Sequence, residues 1–346
     1  MRWRMRWGVG ILALVVVAAA IAILSGCEKE SPTVPPIEPG PTWSHGVSIH
    51  DAREKSGAVE WEGKVYLIGG GRTSTFGHYP GVEVFDPDSA RWIEYPQLKF
   101  QTNIGTVFAA AERKVYAVSG RADDGPVSRL IEVFDPADMS IDFINVQMAA
   151  GHKDGAAVVV PAGLMVLGGL DTPGAPTDLV EIIDLNAPSV SQETRLPYTL
   201  QDFSVFHLDG HVYVIGGQRG NARTDSVAVY NLIERTWEVI DNALPVGWEH
   251  PRVVNLEGRI IVMTGNGNAG RLNGWFDTET RSWFALTSLP EARSQSAVVT
   301  VSGKIWVITG LKEVHGVEAI VDDVWIYDPA GEPNDAAGVT ARFEGF

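Results

Sequence analysis

Short apolar runs that end in glycine recur along this chain. The first occupies residues 64–68, with the turn Glu62-Gly63 before it and Gly69-Gly70 after it. Five later runs have the same layout, at residues 114–118, 164–167, 211–215, 259–263 and 304–308. Each run is continuous and rich in Val, Ile and Tyr, which indicates a strand covered on both faces. We therefore predict an all-β protein built from repeats.

A second landmark follows each run. An apolar residue, usually aromatic, precedes Asp or Asn, and seven residues after it comes Trp or another apolar residue. The pairs are Phe85/Trp92, Phe134/Ile141, Ile183/Val190, Tyr230/Trp237 and Phe276/Trp283, whereas Tyr327 is followed by Asn334 at the Trp position. Successive landmarks lie 49, 49, 47, 46 and 51 residues apart. This period is typical of propeller blades rather than of helical solenoid repeats.

Each repeat has room for four strands. In the first repeat we predict strands at residues 56–61, 64–68, 81–85 and 91–95. Glycine at the second position of the first hairpin turn supplies the positive φ that primed turns require, and only Arg113 replaces it. The Asp or Asn after each third strand is predicted to form a turn, at Asp86, Asp135, Asp184, Asn231, Asp277 and Asp328.

The succession of apolar run, Gly-Gly, aromatic-Asp and Trp resembles the kelch repeat over residues 42–330. This resemblance implies a six-bladed kelch-type β-propeller in which Gly-Gly lets the fourth-strand Trp pack closely. Trp43 lies 22 residues before Val65, as Trp283 lies 22 residues before Ile305. We therefore predict that residues 42–47 complete the sixth blade, which closes the ring and removes open sheet edges. Residues 331–346 are then a C-terminal tail.

The N-terminus has the layout of a secretory signal. Three arginines, Arg2, Arg4 and Arg6, precede an apolar run at residues 9–24. Leu24-Ser25-Gly26-Cys27 then looks like a bacterial lipobox, which predicts a signal peptide at residues 1–26 and a lipidated Cys27. The alternative is an uncleaved membrane anchor with a chance cysteine. Residues 27–41 are predicted to be a proline-rich tether, so we expect an envelope lipoprotein that faces the periplasm or the cell surface.

Charge and composition exclude several functions. The formal net charge is -16, which argues against nucleic acid because an acidic chain is repelled by phosphate. Cys27 is the only cysteine, so disulfides and cysteine-rich metal sites are excluded. The eight histidines show no metal-type spacing such as His-x-x-x-His. We therefore predict no metal ion and no cofactor. The copper chemistry of galactose-oxidase-type propellers is excluded too, since it needs a cysteine crosslinked to tyrosine.

The resemblance also implies where a ligand would bind. In kelch propellers the loops after the second strands and the loops that lead into the first strands share one face around the channel. Here these loops carry polar side chains, several of them cationic, that could recognise carboxylates of a peptide or an acidic sugar. The candidates are Arg53, Arg72, Asn103, Arg121, His152, Asp171, Asp202, Arg219, His250, Asn266, Arg293 and Lys312. The alternative is that each is an ordinary surface residue.

We therefore predict a lipid-anchored binding module for a polypeptide or glycan. The alternative is an envelope enzyme such as a sugar lyase, or a mutarotase similar to the periplasmic sialic acid mutarotase of the kelch type. The chain has no Gly-x-Ser-x-Gly motif and assigns no catalytic residue. A small polar pocket with a carboxylate or histidine pair would favour the enzyme, whereas a broad shallow rim would favour the binding module.

Overall fold

The computed structural model describes residues 42–71, 79–102, 105–111, 113–121, 125–172, 175–314 and 317–332. The predicted signal peptide, the tether with Cys27, and two predicted ligand residues, Arg72 and Asn103, lie outside these ranges. Among the described residues, no helix has the length and apolar character needed to cross a membrane.

The first half of the chain forms the closing strand and three blades. The closing strand is β1 (Trp43–His45). Blade 1 contains β2 (Gly57–Trp61), β3 (Lys64–Ile68), β4 (Val82–Asp86) and β5 (Arg91–Tyr95). Blade 2 contains β6 (Val107–Ala111), β7 (Lys114–Val118), β8 (Ile131–Asp135) and β9 (Ser140–Phe143). Blade 3 contains β10 (Ala156–Val160), β11 (Gly163–Leu167), the ribbon β12 (Leu170–Thr172) and β13 (Ala175–Pro176), β14 (Leu179–Asp184) and β15 (Ser189–Arg195).

The second half forms three more blades. Blade 4 contains β16 (Ser204–Leu208), β17 (His211–Ile215), the ribbon β18 (Gln218–Arg219) and β19 (Ala222–Arg223), β20 (Val227–Asn231) and β21 (Thr236–Ile240). Blade 5 contains β22 (Arg252–Leu256), β23 (Arg259–Met263), a 3-10 turn (Gly267–Arg271), β24 (Asn273–Asp277) and β25 (Ser282–Ala285). Blade 6 contains β26 (Ala297–Val301), β27 (Lys304–Ile308), the ribbon β28 (Leu311–Val314) and β29 (Val317–Ile320), and β30 (Val324–Tyr327), followed by a 3-10 turn (Pro329–Gly331).

Each blade is a four-stranded antiparallel sheet, so the predicted six-bladed propeller is confirmed. The apolar core lies between adjacent blades rather than inside any one of them. Ile68 and Val84 of blade 1, for example, pack with Val115 and Phe134 of blade 2. Apolar residues of blades 1 and 6 form one cluster as well, which joins the two ends of the ring. This arrangement explains why the strands are apolar on both faces.

Strand β1 closes the ring as predicted. It is the outer strand of the sixth sheet, whose order is β1-β30-β27-β26. Trp43 pairs with Tyr327, just as Trp92 pairs with Phe85 in blade 1. The indole Nε1 of Trp43 also donates a hydrogen bond to the carbonyl oxygen of Thr287, at 3.0 Å. The N-terminal strand therefore supplies the tryptophan that the sixth repeat lacks.

The ring extends slightly beyond the predicted domain boundary. Glu332, assigned to the tail by sequence, is 2% exposed. Its carboxylate accepts hydrogen bonds from the Thr287 backbone N–H at 2.9 Å and from the Tyr327 hydroxyl at 2.8 Å. Residues 331–332 are thus part of the propeller, and residues 333–346 lie outside the described ranges.

Two local predictions concern glycine and aspartate. The Asp and Asn residues after the third strands form turns as predicted; Asp184 Oδ1, for instance, accepts backbone hydrogen bonds from Asn186 at 2.8 Å and Ala187 at 3.0 Å. The predicted partner of the Gly-Gly pair is wrong. A Cβ on Gly70 would meet Ser56 Oγ at 2.4 Å and the carbonyl oxygen of Glu54 at 2.7 Å. The glycine therefore makes room for the loop before the first strand, rather than for a fourth-strand Trp.

Candidate functional site

The loops before the first strands and those after the second strands meet at one face, as predicted. In four blades the two loops form a short backbone bridge, between Glu54 and Gly71, Lys153 and Leu170, Gln201 and Gln218, and Ser294 and Leu311. The ribbons of blades 3, 4 and 6 extend from the same loops. Any ligand at the channel on this face would therefore contact both kinds of loop.

Six residues, one from each blade, surround the channel at this face, and we call them the collar. They are Lys55, Gly105, Asp154, Asp202, His250 and Gln295, and all have left-handed backbone φ values between 54° and 67°. Backbone hydrogen bonds join neighbouring members, from Asp154 N to Gly105 O at 2.9 Å, Asp202 N to Asp154 O at 2.7 Å, His250 N to Asp202 O at 2.8 Å and Lys55 N to Gln295 O at 2.8 Å. The collar thus holds charged side chains on a strained but closely hydrogen-bonded backbone.

A cavity of about 250 Å³ lies in the channel at the collar. Collar side chains and first-strand residues line it, including Lys55, Asp154, Asp202, His250 and Arg252. The guanidinium of Arg252 donates from Nε to the carbonyl oxygen of Ser296, at 2.6 Å. The site is therefore a small polar pocket surrounded by the ribbons, and it contains groups of both charges.

Asp154 is the neutralised carboxylate of the collar. Its Oδ1 lies 2.7 Å from the Lys55 ammonium, and its Oδ2 accepts a hydrogen bond from Lys153. Burial acts to raise the pKa of Asp154, but the two ammonium groups outweigh burial and hold that pKa below its ordinary value. Asp154 is therefore ionised across the physiological range, and its lysine partners are already engaged.

Asp202 and His250 form a second, differently balanced pair. Asp202 Oδ1 lies 3.2 Å from His250 Nδ1 and 3.9 Å from the Lys55 ammonium. Burial and repulsion from Asp154 raise the pKa of Asp202 to about 6. Burial and the nearby cations Lys55 and Arg252 hold the pKa of His250 well below its ordinary value, so the imidazole is neutral. The pair therefore combines a carboxylate of near-neutral pKa with a neutral imidazole.

Three predicted ligand residues are buried within the protein. Arg53, His152 and Arg293 have at most 1% of their surface exposed. Arg53 donates to the buried carboxylate of Glu83 and lies over the ring of Tyr79, at 3.9 Å. These side chains already have internal partners and present no surface to a ligand, so the structure corrects their predicted role.

His152 and Arg293 have equally local partners. His152 lies 2.7 Å through Nδ1 from the carbonyl oxygen of Gly168 and 3.1 Å through Nε2 from Glu181. Arg293 donates to Asp323 and, at 3.0 Å, to Glu291. Each therefore attaches the loop before a first strand to its own blade.

The other predicted residues surround the cavity without lining it. Asp171 accepts hydrogen bonds from Arg129 at 3.0 Å and from the Gly151 backbone at 2.6 Å. Lys312 pairs with Glu291 at 2.8 Å. Arg219 is exposed and lies over Tyr198, at 4.6 Å. Arg121 and Asn266 are half-buried. Of the twelve candidates, Asp202 and His250 line the cavity, and ligand contacts by the exposed residues stay a prediction.

Sequence alignment between blades missed Lys55, Asp154 and Gln295. Each collar residue lies ten positions before the first apolar residue of the second strand, for example Lys55 before Val65 and Asp154 before Leu164. Arg53, His152 and Arg293 lie twelve positions before theirs. The predicted set mixed these two positions, and a strict count from the second strand would have separated them.

One cluster has the donors for a metal ion. Asp202, Glu249 and His250 each offer a ligand atom, and these atoms lie within 4.8 Å of one another. Histidine spacing within the sequence could not indicate this cluster, because Asp202 comes from the loop before blade 4 and the other two from the loop before blade 5. The absence of a metal motif therefore does not argue against a metal site.

Comparisons with known proteins agree with this architecture. The family model of the Kelch motif matches residues 201–242. Kelch-like protein 35 of Mus musculus is 28% identical over 172 residues, which are 48% of this chain and 28% of the relative. Kelch-like protein 40 of Xenopus tropicalis is 24% identical over 176 residues, 48% of this chain and 28% of the relative. The F-box/kelch-repeat protein SKIP4 of Arabidopsis thaliana is 30% identical over 105 residues, 30% of this chain and 27% of the relative.

The matched part is little more than a quarter of the length of each of these relatives. Together with the six blades, the matches support a kelch-repeat β-propeller.

Proposed function

We propose that this protein is a lipid-anchored binding module of the bacterial cell envelope that recognises a polypeptide or glycan at the collar face. The observation that carries the proposal is the polar cavity at the collar. Its volume of about 250 Å³ is near the lower limit of ligand pockets, roughly 300–1,000 Å³. Such a cavity accepts one side chain or one sugar ring, while the rest of the ligand lies across the ribbons.

A polypeptide is the favoured ligand, because kelch propellers typically mediate protein–protein interaction and the relatives of this chain are kelch proteins. The collar lysines are paired with Asp154, so the cavity offers both hydrogen-bond donors and acceptors rather than free positive charge. A ligand group with both kinds of polar atom, such as an amide or a sugar hydroxyl, complements it better than a carboxylate alone.

Binding to peptide and glycan arrays tests this proposal with residues 42–346. Ala157→Leu, which fills part of the cavity, is expected to weaken binding at least tenfold. Ala137→Leu, in an exposed turn between the third and fourth strands of blade 2, is the matched control and should bind as the native chain does. Equal binding by both variants would place the ligand away from the cavity and refute the collar as the recognition site.

The Asp202–His250 pair favours a second candidate, an envelope enzyme that processes sugars, such as a mutarotase or lyase. A carboxylate of near-neutral pKa beside a neutral imidazole can accept and return a proton at neutral pH. Proton NMR of anomer interconversion in sialic acid and related sugar acids tests it. A rate enhancement that His250→Gln abolishes would favour the enzyme, whereas equal rates with and without the protein would exclude a mutarotase for those sugars.

The envelope location rests on Cys27 and on the segment before it. Replacing Cys27 with Ser removes the thiol that receives diacylglycerol, so we expect no incorporation of labelled palmitate and retention of the unprocessed precursor in the membrane. Equal palmitate incorporation by the native and Cys27→Ser chains would rule out the lipoprotein assignment.

A further inference from the structure

We propose that Asp202, Glu249 and His250 bind a transition-metal dication, such as Zn²⁺ or Mn²⁺, at the mouth of the channel. The proposal does not depend on which ligand the collar face recognises. The ligand atoms of the three residues lie within 4.8 Å of one another, and Asp202 Oδ1 lies 3.2 Å from His250 Nδ1. Two atoms bound to one ion at about 2.0–2.2 Å are separated by distances of this size.

Surrounding residues hold the remote oxygens of both carboxylates. Arg223 donates from Nε to Glu249 Oε2 at 2.8 Å, and Gln201 donates from its amide to Asp202 Oδ2 at 3.2 Å. The other two oxygens, Oε1 of Glu249 and Oδ1 of Asp202, are the ones nearest His250, at 4.0 Å and 3.2 Å from its ring nitrogens. Outer hydrogen bonds of this kind orient metal ligands in proteins.

The backbone brings the two ligand-bearing loops together before any ion arrives. His250 N donates to Asp202 O at 2.8 Å within the collar. The His250 side chain is 9% exposed and lines the cavity, so its ring has little freedom to turn away. The site is therefore pre-organised, and an ion would not have to order these loops.

The charges at the site favour a cation over the present arrangement. Lys55 is the nearest ammonium group, but it lies 2.7 Å from Asp154 and 3.9 Å from Asp202, so its main partner is Asp154. The raised pKa of Asp202 reflects a carboxylate whose negative charge is incompletely balanced. The neutral imidazole of His250 has a lone pair to offer to an ion. A dication would neutralise the carboxylates while leaving the Lys55–Asp154 pair in place.

The donor set selects among metals. Two carboxylates and one imidazole suit Zn²⁺ and Mn²⁺, whereas Ca²⁺ and Mg²⁺ prefer sites built from oxygen alone. Three protein ligands also leave at least one coordination position open towards the cavity, as in catalytic rather than structural zinc sites.

Calorimetric titration of the full-length chain in detergent, after treatment with a chelator, tests the proposal with ZnCl₂ and MnCl₂. We expect one ion per chain and little or no heat with CaCl₂ or MgCl₂. Asp202→Asn and Glu249→Gln should each weaken binding at least tenfold. Glu238→Gln, which removes an exposed carboxylate paired with Arg281 on the outside of blade 4, is the matched control and should leave the affinity unchanged.

Lys55→Gln supplies a test that removes no ligand. Loss of its ammonium removes a competing positive charge 3.9 Å from Asp202, so the affinity for Zn²⁺ should rise several-fold. The visible spectrum of bound Co²⁺ should also change in His250→Gln, because imidazole ligation is lost. Absence of stoichiometric binding, equal affinities of Asp202→Asn and Glu238→Gln, or unchanged or weaker binding by Lys55→Gln would each overturn the proposal.

Discussion

Arginine has two different roles in this propeller, and burial separates them. Arg53 is fully buried beside Glu83, whose side chain is buried as well. Arg219 is exposed and lies over the Tyr198 ring. The two residues are indistinguishable by type, but one neutralises an internal charge and the other faces solvent. Removing one partner of a buried pair leaves an uncompensated charge, whereas removing an exposed cation does not.

Arg53→Gln is therefore expected to lower the free energy of unfolding by about 3–5 kcal/mol, because Glu83 loses its counter-charge. Arg219→Gln should change it by less than about 1 kcal/mol, since an exposed cation–π contact contributes little. Urea unfolding of the two variants and the native chain measures both values. Similar stability of the two variants would mean that the Arg53–Glu83 pair contributes nothing to the fold.

Residue types in the site could be predicted better than their positions. Asp202 and His250 are identifiable as polar residues in the right loops, but their contact depends on the collar hydrogen bond between two blades. Lys55 and Asp154 lie 99 residues apart in sequence and 2.7 Å apart in space. Such pairs follow from the closure of the ring, so no local pattern of residues indicates them.

The strands are the elements that sequence predicts best, because a repeat gives several independent readings of one pattern. The predicted strands at residues 64–68 and 91–95 agree with β3 and β5, and the third strand of blade 1 is shifted by one residue. The first hairpin turns follow the prediction as well. Gly258, for example, has a φ of 79°, and Arg113 has a φ of 71° without being glycine.

Arg113→Gly is expected to stabilise the protein by roughly 0.5–1 kcal/mol, because a left-handed conformation costs a residue with Cβ about 1–2 kcal/mol and glycine gives back part of that gain in the unfolded chain. The matched control is Gly258→Ala, where a Cβ would meet no atom within 4 Å. Its backbone strain alone should destabilise the fold by about 1 kcal/mol. Thermal unfolding measures both, and a lower melting temperature for Arg113→Gly would contradict the argument.

At the scale of the whole molecule, the propeller is held together by one short joint. Its two ends meet in blade 6, where β1 pairs with β30 through Trp43, Ser44 and His45. Closure could be predicted because Trp43 stands at the distance from Val65 that other fourth-strand tryptophans keep from the next repeat. The participation of Glu332 could not, because its partners Thr287 and Tyr327 belong to no repeated pattern around it.

Deleting residues 28–47 is expected to lower the melting temperature or cause aggregation, because it exposes the β30 edge and removes Trp43 from the core. Deleting residues 28–40 retains β1 and should leave the melting temperature unchanged. Differential scanning calorimetry of the two deletions tests closure, and equal melting temperatures would show that β1 contributes nothing to the ring.

The same joint determines how the propeller would respond to mechanical force. A pull transmitted along the chain from the N-terminal side arrives first at residue 42 and then at β1. Force along the strand loads its backbone hydrogen bonds together, whereas force across the strand breaks them one after another. Trp43, stacked 5.1 Å from the ring centre of Tyr327, acts as a bolt between the two ends. The strand that completes the ring is thus also its load-bearing attachment, and the direction of pull decides how firmly it holds.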